Sequence, residues 1–273
     1  MAVITIAREL ASLGDEIAGE LASITGYKLV DKAFVEKRLG DFGLGPEKRE
    51  KYDEKKPGFW ASLSQERDDY LHYLKTVLYE EAAGGQCIVM GRGGSSILAG
   101  LPNLLSVRLI APAELRIARA MKSFGCDERH AVQMLDQSDH DRAGFQKYFF
   151  SIDWDDPRQY DLCISTARFG AAQAARQIDA ARAILVDEAK EKAGRARVAD
   201  LLLGQRVVTE VIYVRRVPVH FLEASVEGGR VVLHGVANTQ AAIESALAAA
   251  RGLQGVGAVE SAIQVVQEYT VMP

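Results

Sequence analysis

The sequence predicts an α/β protein: a parallel, doubly wound sheet flanked by helices, followed by a small α+β domain. Three observations carry the prediction. Short apolar runs bounded by glycine, proline or polar residues alternate with stretches of helical spacing as far as about Lys192. Beyond Gly194 the pattern changes, and a Gly228-Gly229 turn joins two further apolar runs. Hydrophobic residues make up 48% of the 273 residues, enough to build a core in one large or two modest domains. The predicted domains are 1–193 and 194–273.

Taken in order, Val3 to Ile6 is a β-branched strand, and Ile17, Leu21 and Ile24 recur at helical spacing until Gly26. Lys28-Leu29-Val30 is a second strand ending at Asp31, and a very polar segment, Glu47 to Lys56, precedes Pro57-Gly58-Phe59-Trp60. Leu71, Leu74 and Leu78 stripe a helix that ends at Gly84-Gly85, and Cys87 to Met90 and Leu104 to Ile110 read as buried parallel strands. Helices are predicted over Ala113 to Phe124 and Asp127 to about Phe150, the second broken near Ser138. Asp161 to Ser165 supplies a fifth strand, and Ala171 to about Lys192 a long helix of high propensity. In the C-terminal part, an apolar helical stretch around Leu201 to Val214 precedes strands at Val219 to Val226 and Val231 to Leu233. Asn238 or Thr239 caps a helix carrying Ile243, Leu247 and Ala250, and a last strand runs from Val259 to Val265.

Charge narrows the function classes. With 33 Lys and Arg against 37 Asp and Glu the net charge is -4, so no general attraction to nucleic acid or an anionic membrane is expected, and any anion site is local. The three cysteines, Cys87, Cys126 and Cys163, have neither zinc nor redox spacing and read as buried free thiols of a reducing compartment. No leader pattern and no transmembrane segment is read, which predicts a cytoplasmic protein.

A polyphosphate site needs convergent backbone N–H groups between a strand and a helix. The segment after the first strand, Ala7-Arg8-Glu9-Leu10-Ala11-Ser12-Leu13-Gly14-Asp15-Glu16, holds one glycine and no lysine. Read with Tyr27 to Lys32, Cys87 to Gly93, Val107 to Pro112, Leu115 to Arg119 and Asp153 to Leu162, in that order, it resembles the cytidylate kinase-like family over about the first 190 residues. The resemblance implies a P-loop kinase-type parallel sheet flanked by helices, ATP as phosphoryl donor, Mg2+, and cytidylate or a related nucleoside monophosphate as acceptor; no metal ligands are assigned.

On this resemblance Arg8, Ser12 and Gly14 fall in the phosphate loop, Asp31 and Arg92 on the monophosphate side, and Arg116, Arg119, Arg142 and Asp139 in the lid. Arginines closing over a transferring phosphoryl group suit a reaction governed by positioning and charge. The same side chains read equally as solvated faces paired with Glu128, Asp136 or Asp139. The family's loop, approximately G-S-G-G-[RK]-E, stands here as Ala11-Ser12-Leu13-Gly14-Asp15-Glu16, without two glycines and the basic residue. A weakened or inactive nucleotide-binding protein is therefore the alternative to an active kinase. Asp153, Asp155 and Asp156 read as a capped turn rather than a metal cluster, and His140 as an exposed residue. Phe59-Trp60 stacks on a base or anchors a core. The C-terminal segment, from Val231-Val232-Leu233-His234-Gly235 to Gly255-Val256-Gly257-Ala258-Val259, resembles a BON domain, implying a protein or phospholipid partner and no chemistry of its own.

Overall fold

A computed structural model describes residues 2–47 and 65–266. The polar segment from Glu47 falls almost wholly, and Phe59-Trp60 wholly, outside the described residues. The chain divides into two compact units, Met1–Gly194 and Arg195–Pro273.

The first unit is built on strands β1 (Val3–Arg8), β2 (Lys28–Val30), β3 (Cys87–Met90), β4 (Leu104–Ile110) and β5 (Leu162–Ser165), in the order β2-β3-β1-β4-β5. All four pairings are parallel. Alternation along β1 sends Ile4 and Ile6 to one face, where they join Val107, Leu109, Ile164 and residues of helices α1 (Gly14–Thr25) and α7 (Ala171–Leu185) in one core. Ile17 and Leu21 of α1 are buried there, whereas Ile24, expected on the same stripe, is exposed.

The remaining helices of this unit are α2 (Lys32–Asp41), α3 (Gln65–Gly84), α4 (Gly94–Ile97), α5 (Ala113–Phe124) and α6 (Glu128–Phe150). Helix α6 runs unbroken through Ser138, against expectation, because the Ser138 hydroxyl is engaged by the Arg142 side chain one turn on. The long helix expected to reach Lys192 stops at Leu185, and Asp187 caps a new one, α8 (Glu188–Val208), accepting from Lys190 N at 2.8 Å.

The second unit holds the end of α8, a π-helical turn at Thr209–Val214, strands β6 (Val219–Glu227), β7 (Arg230–Ala237) and β8 (Ala258–Val265), and helix α9 (Gln240–Arg251). β7 pairs antiparallel with β6 and parallel with β8. Gly228 and Gly229 turn the hairpin at φ 54 and 82, values that glycine adopts without strain. Thr239, not Asn238, caps α9, accepting from Ala242 N at 3.2 Å. Leu203, Val207, Leu222, Leu233, Ile243 and Ile263 form this unit's core, while Val265 is exposed. The β6 register slips between His220 and Glu223, and within that bulge Phe221 stands at φ 52 and 78% exposed.

Candidate phosphate site

The loop joining β1 to α1 passes twice through left-handed backbone without the glycines that usually permit it. Ala11 and Leu13 both take left-handed backbone, at φ 60 and 63, a conformation costing about 1 kcal/mol for each side-chain-bearing residue. The amides of Leu13, Gly14 and Asp15 have no acceptor among the described residues, and Leu13 supplies no side-chain cap to α1. Gly14 is close-packed: a Cβ there would lie 2.7 Å from Cγ of Arg8, whose stem crosses the helix entrance. Ser12 is fully buried and its hydroxyl donates to the Glu9 carbonyl at 2.8 Å, so it closes the turn. Asp15 and Glu16 open α1 on its exposed side, where the helix dipole favours a carboxylate.

The arginines of α5 and α6 meet this loop from the other side. Arg116, buried, donates from Nε to the Leu10 carbonyl at 2.8 Å, approaches Glu9 Oε2 at 3.4 Å and pairs with the Asp139 carboxylate. Asp139 also accepts from Leu10 N at 3.3 Å. Arg119 donates to the Ala11 carbonyl at 3.3 Å and to Thr166 O at 2.8 Å. Arg142 donates to the Ser138 hydroxyl, with Asp139 at 3.9 Å. Arg116, Arg119 and Asp139 therefore meet at the loop, with Arg142 beside Asp139, and two arginines grip the loop carbonyls.

Asp31 and Arg92 both adjoin α2. Asp31 caps that helix, accepting from Phe34 N at 2.8 Å, and Arg92, 2% exposed, reaches Glu36 Oε1 at 3.2 Å. Arg92 sits in a left-handed run, Gly91, Arg92 and Gly93 at φ 65, 56 and 66. His140 is exposed. Asp153 and Asp156 accept from the amides of Asp155 and Arg158, closing a turn, and no cluster of three or more His, Cys, Asp and Glu that could hold a metal occurs among the described residues.

The sequence reading missed Glu9 and Arg108. Glu9 Oε2 accepts from Ala111 N at 3.0 Å, tying β1 to the end of β4. Arg108 stacks on Trp154 with 4.0 Å to the ring centroid and reaches Asp155 Oδ1 at 2.5 Å. The available signal was a charged residue inside β4, an otherwise buried parallel strand. Of the three cysteines expected to be buried, Cys87 is, Cys126 is half-buried, and Cys163 on the outer strand β5 is exposed; burial pushes the Cys87 thiol up to about 12, with Glu81 adding to the effect, which removes it as a nucleophile.

A five-stranded parallel sheet in this order, with a loop and helix N-terminus at the carboxyl end of its central strand, defines a P-loop kinase-type unit. The chain belongs to the cytidylate kinase-like family, whose model matches residues 3–168, and a BON domain follows at residues 199–267. No curated protein matches the chain. An uncharacterized protein from Eubacterium ventriosum shares its fold at 20% identity and a TM-score of 0.54, over 67% of this chain and 99% of that one. A shikimate kinase from Acinetobacter baumannii in complex with shikimate aligns at 15% identity and TM-score 0.38, over 65% and 90% of the two chains. A gluconokinase from Sinorhizobium meliloti aligns at 17% and 0.41, over 67% and 93%. Among the described residues no helix is long and apolar enough to cross a membrane.

Proposed function

We propose that the N-terminal unit binds ATP at the Glu9–Glu16 loop and transfers its terminal phosphoryl group to cytidylate or a related nucleoside monophosphate. One observation carries this reading: two side-chain-bearing residues, Ala11 and Leu13, are held in left-handed backbone. Strain of that kind persists where the turn itself is used. The amides of Leu13, Gly14 and Asp15 meet the phosphates, assisted by Arg8, and Arg92 and Asp31 hold the acceptor. Arg119 and Arg142 reach the transferring group as the lid rearranges, while the Arg116 and Asp139 pair keeps the loop in register.

Magnesium bound with the nucleotide supplies charge neutralisation between the phosphates. It takes one or two protein carboxylates and otherwise phosphate and water oxygens. The exposed carboxylates of Asp15 and Glu16 suit that role, whereas Glu9 and Asp139 are already held by Arg116.

A coupled assay with ATP-Mg and a panel of monophosphates tests the reading. Turnover with cytidylate, lowered at least 100-fold in Arg92→Ala, supports it, since an arginine clamp on phosphate is worth several kcal/mol. Absence of nucleotide binding by calorimetry overturns it.

A second reading is favoured by the grip of Arg116 and Arg119 on the loop carbonyls: a catalytically impaired nucleotide-binding regulator whose BON domain docks a protein or phospholipid. The BON unit offers a groove of about 490 Å³ lined by Arg215, Arg216, Pro218 and Ser245. ATP binding without turnover distinguishes this reading from the first.

A further inference from the structure

Before its terminal Arg8, β1 carries one polar side chain in an apolar run, Thr5, on the face opposite Ile4 and Ile6. Thr5 is 1% exposed, and its Oγ1 has no hydrogen-bond partner among the described residues. A buried hydroxyl left so is unfavourable unless something occupies the space beside it. That space exists. Thr5 lines a cavity of about 10 Å³ at the carboxyl ends of β1 and β3, together with Arg8, Ser95, Arg142, Gln146 and Trp154. The volume admits one water-sized atom, and the position is where open α/β sheets receive their ligands.

The chemistry of the lining selects the atom. Gln146 Oε1 already accepts from Ser96 Oγ at 2.8 Å, which leaves Gln146 its amide N–H donors. Arg8 and Arg142 only donate, and the hydroxyls of Thr5 and Ser95 can turn to donate as well. The polar side of this recess complements an oxygen that accepts, such as a carbonyl or phosphate oxygen, and disfavours an ammonium, while Ile6, Ala7, Phe145 and Trp154 form its apolar wall.

We propose that the recess seats a single accepting oxygen of the phosphoryl acceptor, and that Thr5 determines acceptor specificity by donating to it. The inference rests on the kinase reading given above. Water fills the recess when the acceptor leaves.

Calorimetry on the full chain tests it with three probes: cytidine 5′-monophosphate, cytidine and inorganic phosphate. Thr5→Val is expected to weaken monophosphate binding about tenfold, the worth of one lost buried hydrogen bond, with ATP-Mg affinity unchanged. Thr5→Ser, which keeps the hydroxyl, is expected to bind like the wild type. Sensitivity of phosphate alone assigns the oxygen to the phosphate, and sensitivity of cytidine assigns it to the nucleoside.

Equal affinity in wild type and Thr5→Val overturns the inference and leaves the kinase reading standing. A loss shared by the Ser and Val variants overturns it too, since Thr5 would then act through packing. Failure of the wild type to bind any of the three probes removes the kinase reading and the inference together. Should Thr5→Val not fold, Ser95→Ala removes the neighbouring hydroxyl, and a monophosphate affinity unchanged in that variant likewise overturns the proposal.

Discussion

Two turns of the first unit do the same geometric task with different residues. Each leaves the carboxyl end of a central strand through left-handed backbone and enters a helix. Behind β3 the turn is Gly91-Arg92-Gly93-Gly94; behind β1 it includes Ala11, Ser12, Leu13 and Gly14. The difference lies in what surrounds the missing Cβ atoms. At Gly93 a Cβ would lie 2.6 Å from the Phe150 ring, and at Gly94 it would lie 2.8 Å from Val89 Cγ1. Glycine there is enforced by a core that cannot yield. In the β1 loop the corresponding contact, at Gly14, is to the flexible stem of Arg8. Ala11 and Leu13 instead pack against neighbouring apolar residues, and only the backbone preference is violated. A glycine is thus retained by steric necessity at one turn and lost at the other for a modest conformational cost.

The contrast can be broken experimentally, beginning with its largest effect. Gly93→Ala should cost about 4 kcal/mol or prevent folding, because positive φ and overlap with Phe150 add together. Denaturant titration followed by tryptophan fluorescence measures it, since both tryptophans, Trp60 and Trp154, lie in the N-terminal part of the sequence.

Acid should next weaken the β3 side. Burial, reinforced by Lys75, lowers His72 on α3 from its usual 6.5 to about 4. Between those values the unfolded chain binds a proton that the folded one refuses, so stability falls as pH drops from about 6.5 and levels off below about 4. The loss should approach about 3 kcal/mol, and His72→Asn should flatten the profile through that window.

On the loop side, Arg116→Met strips partners from Glu9, Asp139 and the Leu10 carbonyl and should cost about 2 kcal/mol, read by the same titration. The smallest effect discriminates most finely. Ala11→Gly should stabilise by about 0.5 kcal/mol, the relief of left-handed strain less the entropy of glycine in the unfolded chain. Leu13→Gly should destabilise instead, because Leu13 also packs against the main core. Opposite signs at two neighbouring left-handed positions would separate strain from packing.

The strands were legible because their apolar runs are short and end in strong punctuation, as at Cys87 to Met90, bounded here by Gly91. Helix continuity was less so. Ser138 reads as a break only while its hydroxyl is free to compete for the backbone, and the arginine four residues on removes that freedom. The end of α7 escaped notice because helix propensity continues past it; what divides the segment is the single cap at Asp187. The location of the phosphate loop followed from the order of motifs. Its bracing did not, since the contact of Asp139 with Leu10 spans a separation of 129 residues. No local pattern encodes such a pairing. Thr5 was visible only as a hydroxyl among β-branched residues, and its significance depends on a cavity walled by α6 and the Trp154 loop.

The bulge at Phe221 has a consequence for the company this chain keeps at high concentration. β6 is an outer strand of the BON sheet; past the bulge its edge is covered by α8, where Arg197 donates to the Val226 carbonyl at 3.1 Å and Gly204 lies against the Ala224 carbonyl, which leaves the first half to present its amides and carbonyls away from β7. A straight strand of that length would template the addition of a foreign one. The slipped register between His220 and Glu223 kinks the row midway, so an incoming segment can match one half of it and not the other. Deleting Phe221 would be expected to straighten the strand, yet a foreign segment could still pair only as far as the stretch that α8 covers.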